Sequence, residues 1–124
     1  MDTITVLQVL ISLVFTVGGL SRLVLPYARY INLPGQGWAN EFRPEHIRLI
    51  GFLEVVAAVS LIIPLFLDSL AILAPSAAVG IALVMSGAIV THLRRLEYPN
   101  VAGNMMWLSL ALVVAYDRLV EVVV

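Results

Sequence analysis

Charged side chains are absent from long stretches of this chain, and their spacing limits what it can fold into. Residues 3–21, 69–93 and 98–116 contain no Asp, Glu, Lys or Arg, and residues 47–67 contain only Arg48 and Glu54. A helix needs roughly 20 apolar residues to cross a hydrocarbon core of about 30 Å. Four stretches are therefore long enough to span a membrane.

The composition points the same way. The chain is 61% hydrophobic and 12% charged, whereas a soluble domain carries about 25% charged residues. This balance excludes an ordinary soluble enzyme, a nucleic-acid-binding protein and a disordered tail. The absence of cysteine excludes disulfides, thiolate catalysis and cysteine-ligated metal centres.

The pattern predicts an all-α fold, an integral membrane four-helix bundle with antiparallel, up-down topology. The apolar stretches are continuous and do not alternate, which favours helices over a β-barrel. We expect a single transmembrane domain over residues 1–124, with spans at approximately 3–25, 46–67, 70–93 and 102–120. The first span lacks the basic start and short apolar core of a cleaved signal peptide.

The arginines predict an orientation in the cell membrane. The first and third connections share one side, where six arginines face three glutamates for a net charge of +3. The termini and the second connection share the other side, with one arginine and four acidic residues for a net charge of −3. The positive-inside rule then places the first and third connections in the cytoplasm and both termini outside it.

Glu54 is the one charged residue well inside a predicted span. An ionised side chain costs several kcal/mol in hydrocarbon, so Glu54 must find a partner or be protonated. Arg22, at the end of the first span, is long enough to reach it, which predicts a hydrogen-bonded pair. The pair is either a structural contact or part of a pocket.

Polar residues from all four spans converge on one end of the predicted bundle. Arg22, Glu54, His92, Asn104 and His46 form the predicted ligand-binding site, and no catalytic residue can be assigned. The alternatives are that the histidines lie at the membrane interface and that Asn104 mediates helix packing. The unequal depths of His46, His92 and Glu54 argue against a metal site. Bis-histidine haem ligands usually lie well inside the spans, whereas these histidines lie at helix ends, which argues against haem. We expect nothing comparable at the other end of the bundle.

Two further features concern packing around this site. The first connection contains four aromatic residues, which favour the headgroup layer; a lid over a pocket is the alternative. Small residues in the third span, together with Gly18, Gly19 and Gly51, predict close approach of helix backbones. A homodimer face would use small residues in the same way.

Several motifs along the chain resemble those of the DoxX-like family. They are Gly19–x–x–Arg22–Leu23, Arg48–Leu–Ile–Gly51–x–Leu–Glu54, Ile63–Pro64, Leu73–Ala–Pro75, Ala88–x–x–x–His92 and Asn104. The resemblance covers nearly the whole chain, although the family usually has Lys where this sequence has Arg22. It implies a four-helix membrane protein associated with thiosulfate:quinone and other membrane redox complexes. Animal assembly chaperones for ligand-gated channels also show this resemblance, so it indicates fold better than function.

Three hypotheses about function follow. The first is a subunit or accessory protein of a membrane oxidoreductase system that binds a quinone or another lipophilic small molecule at the predicted site. The second is a non-enzymatic scaffold or assembly chaperone that packs against another membrane protein or a second copy of itself. The third is a small proton-coupled transporter, which the position of Glu54 in the second span disfavours.

Overall fold

A computed structural model describes residues 1–124, and its regular structure is entirely helical. Five α-helices follow one another along the chain: α1 (Thr3–Val24), α2 (Tyr27–Tyr30), α3 (Pro44–Ile62), α4 (Leu73–Arg94) and α5 (Tyr98–Val123). Short 3₁₀ turns occupy Gly37–Glu41, Ile63–Leu65 and Asp68–Leu70.

The helix ends follow from local chemistry. The Asp2 side chain caps α1 by accepting a 2.7 Å hydrogen bond from the Thr5 backbone N–H, and Pro44 begins α3 at a position where its missing N–H costs nothing. Pro64 cannot continue a helix, so α3 ends at Ile62, short of the predicted span end at residue 67.

The four long helices pack as two close pairs, α1 with α3 and α4 with α5. The Gln8 side chain donates to the Leu61 carbonyl at 2.5 Å, and Ser12 donates to the Ala58 carbonyl at 2.8 Å. These bonds join the start of α1 to the end of α3. The pairs meet through α3–α4 and α1–α5 contacts. The core between them contains Ile11, Phe15, Leu61, Ile81 and Val114.

Three helices, α1, α3 with its following turn, and α4, are long and apolar enough to cross a membrane. Their outward faces carry exposed apolar side chains such as Leu13 and Leu83, which suits contact with lipid. The prediction of an all-α membrane protein is confirmed at this level. The helix with the largest buried share is α4, as its small residues predict.

A polar cluster lies where the sequence predicts none, at the end of the molecule that holds both termini. Arg118 donates to Gln8 at 2.8 Å and to Thr5 at 2.9 Å, and it also pairs with Glu121. The prediction that nothing comparable exists at this end is therefore wrong. The sequence does not reveal this cluster, because Gln8 carries no charge and Arg118 lies near a span end, where an arginine usually contacts lipid headgroups. Only the packing of α1 against α5 brings the two residues together.

Candidate functional site

An ion pair between α1 and α3 forms the centre of the candidate site. The Glu54 side chain is 4% exposed and pairs with the guanidinium of Arg22, which is 18% exposed. Arg22 Nε also donates to the Tyr30 hydroxyl at 2.8 Å, and the guanidinium lies over the Tyr30 and Trp38 rings. The buried carboxylate is thus compensated, as the sequence predicts.

Two glycines explain why this pair can form. A Cβ on Gly19 would lie 2.7 Å from the Gly51 carbonyl oxygen, and one on Gly51 would lie 2.6 Å from that of Gly19. Arg22 and Glu54 each follow their glycine by three residues, so their Cα atoms lie about 9 Å apart along the helix axes. Helical side chains lean toward the N-terminus of their own helix, and here that direction brings the two together.

The first connection folds over this pair. Residues 35–42, here called the lid, include the 3₁₀ turn Gly37–Glu41. Tyr30 and Trp38 both donate to Gln36 Oε1, at 2.8 and 2.9 Å. Desolvation raises the pKa of Tyr30, which keeps the phenol protonated as a donor. Trp38 stands edge-on to His92 with ring centroids 6.0 Å apart.

A chain of polar contacts ties the lid to the end of α4. Buried His92 places Nδ1 2.7 Å from Glu97 Oε1, and Arg95 Nε donates to the same oxygen at 3.1 Å. Arg95 also pairs with Glu41 in the lid. The hydrogen bond with His92 and the Arg95 guanidinium hold the pKa of Glu97 below its ordinary value. These four residues are called the latch below.

Local backbone geometry positions Glu97 within the latch. Leu96 adopts a left-handed conformation with φ of 58°, which normally favours glycine. This turn lets the Glu97 backbone N–H donate to the His92 carbonyl at 2.9 Å. The Glu97 carboxylate is thereby held beside the His92 ring.

Between the lid, α3, α4 and α5 lies a cavity of about 610 Å³. Its polar lining residues are Arg22, Gln36, Glu54, Thr91, His92, Arg94, Asn100 and Asn104, and its larger apolar ones are Trp38, Phe42, Ile50, Leu83, Val84, Met85 and Val90. The Asn104 amide makes no hydrogen bond within the protein, and His92 uses Nδ1 for Glu97, which leaves Nε2 free. Both can meet a bound molecule.

The model of the DoxX-like family matches residues 6–114. The chain belongs to the DoxX-like family. No curated protein and no solved structure matches it. In this DoxX-like protein the Gly–x–x–Arg and Gly–x–x–Glu motifs have one shared structural role, since the glycines form the α1–α3 contact and the charged residues form an ion pair across it.

Four of the five predicted site residues line the cavity of this DoxX-like protein: Arg22, Glu54, His92 and Asn104. His46 does not. Its neighbour Ile47 is buried against Tyr30 and Ala39, and one residue is about 100° of helix rotation, so the His46 side chain lies exposed.

Four polar lining residues were not predicted as part of the site: Gln36, Thr91, Arg94 and Asn100. Asn100 precedes Asn104 by one helical turn, and this i, i+4 spacing is a signal that identifies it. From the sequence alone, Arg94 has the position of a residue that anchors a helix at the membrane interface, and nothing distinguishes Gln36 from other loop residues. The lid itself matches the alternative prediction for the aromatic connection, since Trp38 and Phe42 line the cavity.

Proposed function

We propose that this protein binds a quinone, or another lipophilic molecule with carbonyl or hydroxyl groups, in the cavity beneath the lid. The observation that carries the proposal is the pairing of free polar groups with apolar walls in one cavity. Such a combination is typical of small-molecule sites. The Asn104 amide can donate to a carbonyl oxygen, and His92 Nε2 is available for a hydrogen bond to a carbonyl or hydroxyl group.

Arg22 and Glu54 act on this ligand mainly by fixing the cavity wall. Their charges satisfy each other, and Arg22 is held further by Tyr30. A preorganised wall does not have to reorganise when a ligand enters. The chain has no cysteine to support a thiol relay. We therefore propose that it serves as a subunit of a membrane redox system, in which a partner protein reduces or oxidises the bound quinone.

We also propose that all four long helices cross the membrane as an antiparallel bundle. The first and third connections then face the cytoplasm, as the arginine distribution suggests. The ligand cavity and its lid lie at the cytoplasmic end in this arrangement.

Trp38 offers a direct test of ligand binding, because the chain has only one other tryptophan, Trp107. In a Trp107→Phe background, titration with decylubiquinone in lipid nanodiscs should quench Trp38 emission with saturation. Asn104→Leu removes one hydrogen bond and should weaken binding about five- to tenfold. Ser109→Ala is the matched control on the same helix, since Ser109 bonds only its own helix. Quenching that rises linearly with probe concentration, without saturation, contradicts the proposal.

A further inference from the structure

A second cavity of about 440 Å³ lies along the contact between α3 and α4. It shares Glu54, Leu83 and Val84 with the cavity beneath the lid. The two cavities therefore adjoin each other at these three residues. We call the second cavity the apolar groove, lined by α3 from Leu53 to Ser60 and by α4 from Leu73 to Val84.

The two cavities differ in chemistry. Apart from Glu54 at the junction, the polar side chains of the apolar groove are Ser60 and Ser76, and Ser76 already donates to the Ile72 carbonyl of its own helix. The remaining wall includes Phe15, Leu53 and Ile81. Ser60 is then the only neutral polar side chain here that is not bonded to its own helix, so a polar ligand finds few partners, whereas a hydrocarbon chain has apolar contacts along its length.

Small residues keep this groove open. A Cβ on Gly80 would meet no atom within 4 Å, in contrast to the tight backbone contact at Gly19 and Gly51. Gly80 therefore does not mediate a close backbone contact, although the small residues of this span predict one. Its missing side chain leaves space in the groove.

The length and the rim of the groove suit a membrane chain. The α4 segment from Leu73 to Val84 is about 16 Å long at 1.5 Å per residue, which is about half of a 30 Å hydrocarbon core. Leu53 and Leu83, at the rim, are 47% and 68% exposed on the apolar outer surface. A chain can enter from the bilayer without passing the lid.

We propose that the apolar groove binds the single hydrocarbon chain of an amphiphile whose polar head occupies the cavity beneath the lid. This inference rests on the proposed function for the head, and it adds the class of ligand: a prenylated or acylated molecule that enters sideways from the membrane. The head then lies beside His92 and Asn104, and the chain runs past Glu54 toward Gly80.

Three glycines allow a matched test, because a Cβ on Gly80, Gly87 or Gly103 meets nothing within 4 Å. Gly80 lines the apolar groove, Gly87 lines the cavity beneath the lid, and Gly103 lines neither. Each is replaced by Phe in the Trp107→Phe background, in which Trp38 is the only tryptophan; we call this the Trp38-only background. Binding of decylubiquinone is compared with that of the same ring bearing a methyl group in place of the chain.

We expect Gly80→Phe to weaken binding of decylubiquinone about tenfold and to leave the short probe unchanged. Gly87→Phe should weaken both probes, and Gly103→Phe neither. If Gly80→Phe and Gly103→Phe bind decylubiquinone equally, the chain is not in the groove, although the head site stands. If neither probe binds the wild type, the proposed function itself fails.

Photolabelling of the wild type gives a second measurement that does not depend on folding of a variant. A quinone with a diazirine at the end of its decyl chain should label residues around Gly80. Excess decylubiquinone should suppress this labelling. The short probe lacks the chain, so it should suppress the labelling only by competing with the photoprobe for the head site. Labelling spread evenly over the outer faces of all helices would show ordinary boundary lipid and overturn the inference.

Discussion

At the scale of single residues, the Arg22–Glu54 pair determines what this end of the protein can tolerate. Both charges are largely removed from water, and each has the other as its main compensation. Removing one partner of a buried pair leaves an uncompensated charge, which is far more costly than replacing both by apolar residues.

We therefore expect Arg22→Met to lower the free energy of unfolding by about 3–5 kcal/mol. The double variant Arg22→Met/Glu54→Leu should regain most of that loss, because no buried charge remains. Thermal unfolding in detergent micelles measures both. Arg43→Met, an exposed arginine paired only with Glu45 at 3.8 Å, is the control and should change little. A double variant less stable than either single variant would contradict this account.

Much of the site was predictable residue by residue, and the exceptions have a physical cause. Arg22, Glu54, His92 and Asn104 lie in the same half of the bundle, and span order alone gives that approximate height. The rotation of a side chain about its helix axis is a different quantity. His46 has the predicted height but the wrong rotation, because Ile47 takes the inward position. Gln36 belongs to a connection without periodicity, so nothing in the sequence places it.

At the scale of helices, the α1–α3 contact depends on two glycines that touch each other's backbone. Gly51→Ala places a methyl group 2.6 Å from the Gly19 carbonyl oxygen and 2.8 Å from Arg22 Cβ. Neither neighbour is the end of a flexible side chain, so the helices must separate.

We expect Gly51→Ala to destabilise the protein by about 1–3 kcal/mol, the usual range for overpacking, and to weaken the Arg22–Glu54 pair. Gly103→Ala is the matched control, since its Cβ meets open space and alanine favours the helix. Unfolding in micelles compares the two. Equal stability of the two variants would show that the close contact carries no energetic weight.

The lid is the element whose position should depend on pH. Glu97 has a pKa below its ordinary value of 4.5 because of His92 and Arg95. A carboxyl with a lowered pKa stabilises its contacts above the ordinary pKa, and the effect is lost as the pH falls through the lowered value. The latch is then intact at neutral pH and weakens only in acid.

In the Trp38-only background, access of acrylamide to Trp38 should be low at pH 7 and should rise as the pH falls below about 4.5. Glu97→Gln should raise access at pH 7, because it removes the charge that holds His92 and Arg95. Arg43→Gln, an exposed arginine paired only with Glu45 at 3.8 Å, should not. Access that is independent of both pH and Glu97 would mean that the latch does not hold the lid.

At the scale of the whole molecule, the fold class was predictable, whereas the connection between the termini was not. The number and approximate positions of the long helices follow from the uncharged stretches, since a span must reach a minimum length. Their lengths do not, because α5 continues to Val123, past the uncharged stretch 98–116 and the predicted span 102–120. The Arg118–Gln8 bond joins residues 110 positions apart, and no local pattern reports such a contact. The cluster fastens the end of α5 to the start of α1, beside Thr5.

This cluster leads to a prediction for topology. Arg118 lies beside Thr5 at one end of α1, and Asn104 lines a cavity with Arg22 at the other end. Helix α5 therefore extends along the length of α1, and its 26 residues are about 39 Å long, enough for a 30 Å core. We therefore expect α5 to cross the membrane if α1 does.

Single cysteines test this without background, because the chain has none of its own. An impermeant maleimide should label Asp68→Cys and Val124→Cys in intact cells, and Glu45→Cys only after permeabilisation. The reason is that four crossings return the C-terminus to the side of the Asp68 turn, whereas three leave it with Glu45. Labelling of Val124→Cys together with Glu45→Cys would place α5 on the membrane surface, and the cavity would then lose the α5 wall that Asn100 and Asn104 provide.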